Sequence, residues 1–213
     1  MHKGELEFEY QGTTTVDPVR DKANVQKHKL EVEYGLTDRW AVELEGVFKK
    51  EPDKKLTGSV VEFGVKHQFF EQGEYWLDSG IQVAYGHATH HADADSIEAE
   101  LLLEKQIGKV LSRANVTLEQ EVGSNAPKGS KYEMAWSSRY RYSYNFEPGF
   151  EIQSDFGRGN ENLGFNEQEH YVGPAAYGRI VPFLNYEVAY LFGVSDAASE
   201  GAARVLLEYE LYF

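Results

Sequence analysis

The sequence contains no cysteine, which excludes disulfides, thiolate metal centres and thiol nucleophiles. It has no run of about 18 consecutive apolar residues, the length a membrane-crossing helix requires. Positive charge is scarce: 21 Lys and Arg stand against 35 Asp and Glu, a net charge of −14. A nucleic-acid partner needs a basic footprint, so none is expected. Helical periodicity is missing throughout, and so are nucleotide-binding glycine loops and a G-x-S-x-G serine motif. No cofactor is implied. No secretory leader is visible, because Met1-His2-Lys3-Gly4 runs directly into "ELEFEY"; the reading is that a signal peptide belonged to the protein and is absent here. None of these absences excludes a membrane, since a transmembrane β-barrel needs only every second residue to be apolar.

What is present is alternation. "ELEFEY" (5–10) sorts Glu5, Glu7 and Glu9 from Leu6, Phe8 and Tyr10. "KLEVEY" (29–34) and "RWAVELEGVF" (39–48) repeat the pattern. A strand places such residues on two faces, whereas a helix scatters them. Further strands are predicted near 56–70, 75–86, 96–105, 110–122, 132–144, 150–157, 167–178, 183–193 and 202–213, giving about twelve, an even number as single-chain bacterial barrels require. The connections alternate between short ones, such as "GLTDR" (35–39) and "EQGE" (71–74), and longer polar ones, such as "GTTTVDPVRDKA" (12–23) and "RGNENLGFNE" (158–167). Short periplasmic turns and longer extracellular loops produce that pattern, with both termini periplasmic.

A soluble barrel would turn its polar face outward and fill its interior with the apolar face. Twelve strands enclose more than side chains fill, and aromatic residues (14% of the chain) cluster near strand ends, as at Tyr34, Trp40, Phe69, Tyr85, Tyr132 and Phe192. Aromatic girdles suit lipid interfaces. The predicted fold is therefore all-β: one 12-stranded antiparallel up-and-down transmembrane β-barrel over residues 1–213.

The last strand resembles the C-terminal strand of bacterial outer-membrane proteins, with Val205, Leu207, Tyr209 and Leu211 at alternate positions before Phe213. The resemblance implies an outer-membrane location, outer-membrane lipids as surroundings, and Phe213 as a signal read by the periplasmic barrel-insertion machinery. More weakly, "HYVGPAAYG" (170–178), "YEVAYLFGVSDAA" (186–198) and "LLEYEL" resemble small outer-membrane barrels associated with phenol meta-pathway (aromatic-degradation) genes. That implies a transport role and carries over no substrate-contacting residue.

If the apolar face meets lipid, the other face lines a lumen. By parity the lumen receives Glu5, Glu7, Glu9, Glu31, Glu33, Glu43, Glu45 and Glu62 from the first four strands, together with Lys66. It receives Glu98, Glu100, Arg113, Glu119, Arg139, Arg141 and Glu151 from the middle strands, and Glu208 and Glu210 from the last. Acidic groups dominate, and Arg139 and Arg141 are placed across the lumen from them. A transverse field of that kind suits a polar pore. The expected function is passive diffusion of small polar or charged solutes through an acidic lumen, by a monomer, with the solute unidentified. The alternatives are a non-conducting structural or adhesive barrel acting through its loops, and an outer-membrane lipid-processing enzyme.

Three local features remain. "GHATHHADAD" (86–95) gathers His87, His90, His91, Asp93 and Asp95, donors that suit Zn²⁺, Cu²⁺ or Ni²⁺, although a surface loop seldom fixes a coordination geometry. His67, Ser138 and Ser154 share the lipid-facing parity, with His67 and Ser138 too far apart to bond, while His170 is assigned to the lumen with no nucleophile beside it; an enzyme is not expected. Pro174 removes a ladder hydrogen bond and marks either a bulge or an early strand end.

Overall fold

A computed structural model describes residues 2–90 and 93–213. The described residues form twelve strands: β1 (Glu5–Val16), β2 (Gln26–Gly35), β3 (Trp40–Lys50), β4 (Thr57–Gln68), β5 (Asp78–Ala88), β6 (Asp95–Ile107), β7 (Val110–Val122), β8 (Lys131–Tyr140), β9 (Glu147–Arg158), β10 (Glu169–Val181), β11 (Leu184–Gly193) and β12 (Gly201–Tyr212). Each pairs antiparallel with its sequence neighbours. β1 pairs with β12, from Glu5 opposite Tyr212 to Val16 opposite Gly201, and closes the barrel. Closure leaves no free strand edge.

The alternation read from the sequence becomes two faces of opposite exposure. On β3, Glu43 and Glu45 are 4% and 6% exposed, while Leu44 between them is 54% exposed; Phe63 on β4 is 57% exposed. Here carboxylates are inside and apolar side chains outside, and the outer face stays apolar around the barrel although the inner face also holds Val47, Leu111, Tyr177 and Leu191. An outer surface of that kind is stable against lipid, not against water. Exposed aromatics mark its two ends: Tyr34, Trp40, Phe69 and Tyr144 at one, Tyr85, Tyr132 and Phe192 at the other.

The chain termini share one end with the turns at 36–39, 69–77, 108–109, 141–146 and 182–183. The loops 17–25, 51–56, 89–94, 123–130, 159–168 and 194–200 occupy the other end. The predicted alternation of short and long connections fails at one place. The turn 69–77 outgrows the loop 51–56, because the apolar run of β4 stops at Gln68 and Phe69, Phe70, Tyr75 and Trp76 fold onto the outer rim instead of extending strands.

Pro174 neither bulges nor ends its strand. β10 continues to Val181, and its register against β11 is the same before the proline (Val172 opposite Phe192) as after it (Ala175 opposite Ala189). The ladder positions at Gly173 and Pro174 stay open on the β11 side, as a missing donor requires. The bulge in β10 lies later, between Arg179 and Val181. Small residues make this sector tight. A Cβ on Gly173 would stand 2.0 Å from the Tyr190 carbonyl oxygen, and one on Gly149 would stand 2.2 Å from that of Ser138.

Candidate functional site: the charged lumen

The pairing register aligns carboxylates across neighbouring strands. Reading perpendicular to the strands, Glu208 (β12), Glu9 (β1), Glu31 (β2), Glu45 (β3) and Glu62 (β4) stand side by side. One pleat along, Glu210, Glu7, Glu33 and Glu43 form a second row. Directly opposed like charges destabilise a sheet, so these rows need cations or water. Two lysines enter them. Lys29 Nζ lies 2.8 Å from Glu45 Oε1. Lys66 Nζ donates to Glu33 and lies 3.6 Å from Glu43 Oε2, while the other oxygen of Glu43 accepts from Gln82. Carboxylate oxygens of Glu31, Glu33 and Glu43 gather within 4.8 Å of one another, and so do those of Glu7, Glu9 and Glu208.

The wall from β8 round to β12 is arranged differently. Arg204 Nη1 bridges Glu151 and Glu187 at 2.9 and 3.1 Å, and the Tyr177 hydroxyl donates to Glu151 at 2.9 Å. Arg139 pairs with Glu147 at 3.3 Å and sits over the Tyr177 ring. Nearer the long loops, Lys131 joins Glu133 and Asp155, and Arg158 joins Glu121. Here each of these cations has an acidic partner nearby on the same wall, Lys131 and Arg204 two each, so the cationic charge is compensated locally. At the short-turn end the lumen opens into a cavity of about 1090 Å³ whose lining includes Glu7, Glu9, Lys66, Glu104, Arg113 and Glu208. Arg113 uses its Nε on Glu104 at 2.6 Å.

The residues expected in the lumen by parity differ in burial. Glu5, Glu33, Glu43, Glu45 and Glu151 are buried, and Glu7, Glu9, Glu31, Glu62, Lys66, Glu98, Glu100, Glu119, Arg139, Glu208 and Glu210 are half-buried. Arg141 is different: β8 ends at Tyr140, and Arg141 is exposed in the 141–146 turn, at the rim. Arg139 does not face the glutamate rows as an unpaired charge, because Glu147 on the adjoining strand holds it.

His170 is reversed. Glu169 and Tyr171 take the lumen parity of β10, which turns His170 outward, directly opposite Ser154 of β9. The two side chains bond at 2.9 Å. Sequence reading missed this pair because the face of β10 was assigned without its register to β9.

In the histidine-rich loop, His91 lies outside the described residues. Asp95 is already engaged: Oδ1 by His87 Nδ1 and the Ala88 N–H, both at 3.0 Å, and Oδ2 by the Tyr85 hydroxyl at 2.5 Å. His90 and Asp93 lie 3.9 Å apart. Among the described residues, the groups that bring three ligand atoms together are the two glutamate clusters of the lumen.

No protein-family model matches the chain, and no curated protein matches it. Solved structures do. A KdgM porin in complex with disordered oligogalacturonate aligns with a TM-score of 0.67 over 97% of this chain and 99% of that chain, at 7% identity. A NanC porin aligns with 0.64 over 96% and 100%, at 8% identity. An outer membrane channel from Pseudomonas putida F1 aligns with 0.65 over 100% and 96%, at 12% identity. At these identities the likeness is one of fold: a barrel of the same architecture over nearly the whole length.

Proposed function

We propose that this chain is a bacterial outer-membrane channel for the passive passage of small solutes, acting as a monomer, with the termini and short turns in the periplasm and a lumen that prefers cations to anions. The observation that carries the reading is the pair of glutamate rows across β12 and β1–β4. They hold five and four aligned carboxylates respectively, and among the described residues Lys29 and Lys66 are the cations ion-paired within them. A ring of carboxylates in a water-filled passage raises the local concentration of cations and repels anions. The fold shared with porins supports the channel part of the reading.

The solute class differs from that of one structural neighbour. A KdgM porin binds oligogalacturonate, a polyanion, which the glutamate rows of this chain would repel. Cationic, zwitterionic or neutral solutes fit better. If the resemblance to barrels of phenol-degradation genes extends to function, neutral phenols pass and aromatic carboxylates are disfavoured.

The test is single-channel recording in planar bilayers. We expect open-channel conductance and a reversal potential on the cation-selective side under a salt gradient. Replacing Glu31, Glu33, Glu43 and Glu45 together by Gln moves the reversal potential toward zero. A barrel that stays closed at all voltages sinks the channel reading in favour of a surface barrel acting through its loops. An open channel whose selectivity ignores the four substitutions removes the glutamate rows as its cause.

A further inference from the structure

The outer wall carries a polar constellation that a channel does not need. Ser154 Oγ lies 2.9 Å from His170 Nδ1, and His170 Nε2 lies 3.0 Å from Gln168 Oε1. The Gln168 amide is oriented in turn: its Nε2 donates to the Leu163 carbonyl at 3.1 Å, which leaves Oε1 for the imidazole. An amide oxygen only accepts, so Nε2 carries the ring proton and Nδ1 is the acceptor for the serine hydroxyl. The ring itself is fixed. Phe165 stacks on it at 4.4 Å and Phe156 meets it edge-on at 5.6 Å, while the His170 backbone N–H donates to Ser195 Oγ at 3.0 Å. His170 is 7% exposed and Ser154 9%.

A hydroxyl, a base held in the tautomer that faces it, and a third group orienting the base together make an activated nucleophile. We infer that Ser154, His170 and Gln168 form an ester-hydrolysing site on the outer wall, separate from the lumen. Ser154 is the nucleophile, His170 the general base and Gln168 the residue that positions the base. The substrate class follows from the surroundings. The neighbouring outward residues Ile152, Met134, Trp136 and Val172 are apolar, so the ester arrives from the lipid phase and carries an acyl chain.

In the first step Oγ bonds to the ester carbonyl carbon and its proton passes to Nδ1. The bond from that carbon to the alcohol oxygen breaks, and the alcohol leaves with the proton. Water then adds to the acyl-serine, giving a proton to Nδ1. The carboxylic acid departs as Oγ takes the proton back. No oxidant or cofactor enters. Phe165 and its 3-10 turn (Phe165–Glu167) cover the imidazole, so an ester gains access when this turn lifts.

The experiment uses the folded full chain in detergent micelles, treated with a biotinylated fluorophosphonate and then digested for peptide mass spectrometry. p-Nitrophenyl butyrate and dodecanoate serve as ester probes, and heat-modifiable electrophoretic migration verifies folding of every variant. The expected result is labelling at Ser154, faster in Phe165→Ala, with dodecanoate cleaved in preference to butyrate. Labelling vanishes in Ser154→Ala and falls about 100-fold or more in His170→Asn, the scale of general-base catalysis. Gln168→Leu slows labelling and shifts its pH profile, and Gln168→Glu, which keeps an acceptor, restores it. A pair of outward serines, Ser112 and Ser138 (2.7 Å apart), has no histidine bonded to it among the described residues, and Ser138→Ala changes nothing. Absence of label at Ser154 in both folded wild type and folded Phe165→Ala overturns the inference. So does labelling that proceeds at the wild-type rate in His170→Asn.

Discussion

Two glycines show how single residues shape the lumen and its wall. Gly64 stands opposite Glu43, and a Cβ built there would lie 2.2 Å from Glu43 Oε1 and 2.7 Å from its Cγ. The glutamate lies over the glycine, where it meets Gln82 and Lys66. Gly64→Ala therefore forces Glu43 into another rotamer and breaks the bond to Gln82, at a cost of about 1–2 kcal/mol. The expected phenotype is a folded barrel with slightly lower urea resistance in liposomes and altered single-channel conductance. Gly173→Ala is different in kind. Its Cβ would meet backbone, the Tyr190 oxygen at 2.0 Å and Leu191 Cα at 2.8 Å, so β10 and β11 must separate. A loss of about 3 kcal/mol is expected. A Gly173→Ala barrel that unfolds at the wild-type urea concentration would show that the strands can spread at no cost.

At the scale of elements, strands were legible wherever one face is apolar and the other charged. β1, β2 and β3 follow directly from "ELEFEY", "KLEVEY" and "RWAVELEGVF", and their register makes the glutamate rows a consequence of adjacency. β10 was harder to read. Its "YVGPAAYG" is small and apolar on both faces, so parity cannot be read locally and His170 was assigned to the wrong side. The end of β8 was also misplaced, because "YRYSYNF" continues the alternation past Tyr140 although the chain has already turned. Ion pairs between non-adjacent strands had no local signal. Arg204 on β12 reaches Glu151 on β9 past Ala189 and Ala175, the small residues that stand in line with it on β11 and β10. Removing one partner of a buried pair leaves the other uncompensated, so Arg204→Ala should cost about 3 kcal/mol, less where lumen water reaches Glu151 and Glu187. Arg204→Ala combined with Glu151→Gln should recover much of that loss in the same unfolding measurement. An unchanged double variant would mean that the pair acts through packing and not through charge.

At the scale of the whole molecule, the charge is distributed unevenly around the barrel. The wall from β12 through β4 holds excess carboxylate, whereas cations between β8 and β12 are matched by acids beside them. The densest alignment of carboxylates lies in the rows from β12 to β4, and Glu98 and Glu119, opposed on β6 and β7, add to it. The reach of this field depends on screening. The screening length is about 30 Å at 0.01 M salt and about 3 Å at 1 M. On the channel reading proposed above, the field of the glutamate rows spans the passage at low salt and should exclude anions from its whole section. At high salt it covers only the layer next to these carboxylates, and anions can pass through the rest of the section. The permeability ratio of cation to anion should therefore fall toward unity as salt is raised over that range, at unchanged pH. Reversal potentials measured at a constant concentration ratio and increasing mean concentration give that ratio directly. Selectivity that persists unchanged at 1 M salt would instead require a constriction narrower than the screening length, in which every permeating ion touches the glutamates.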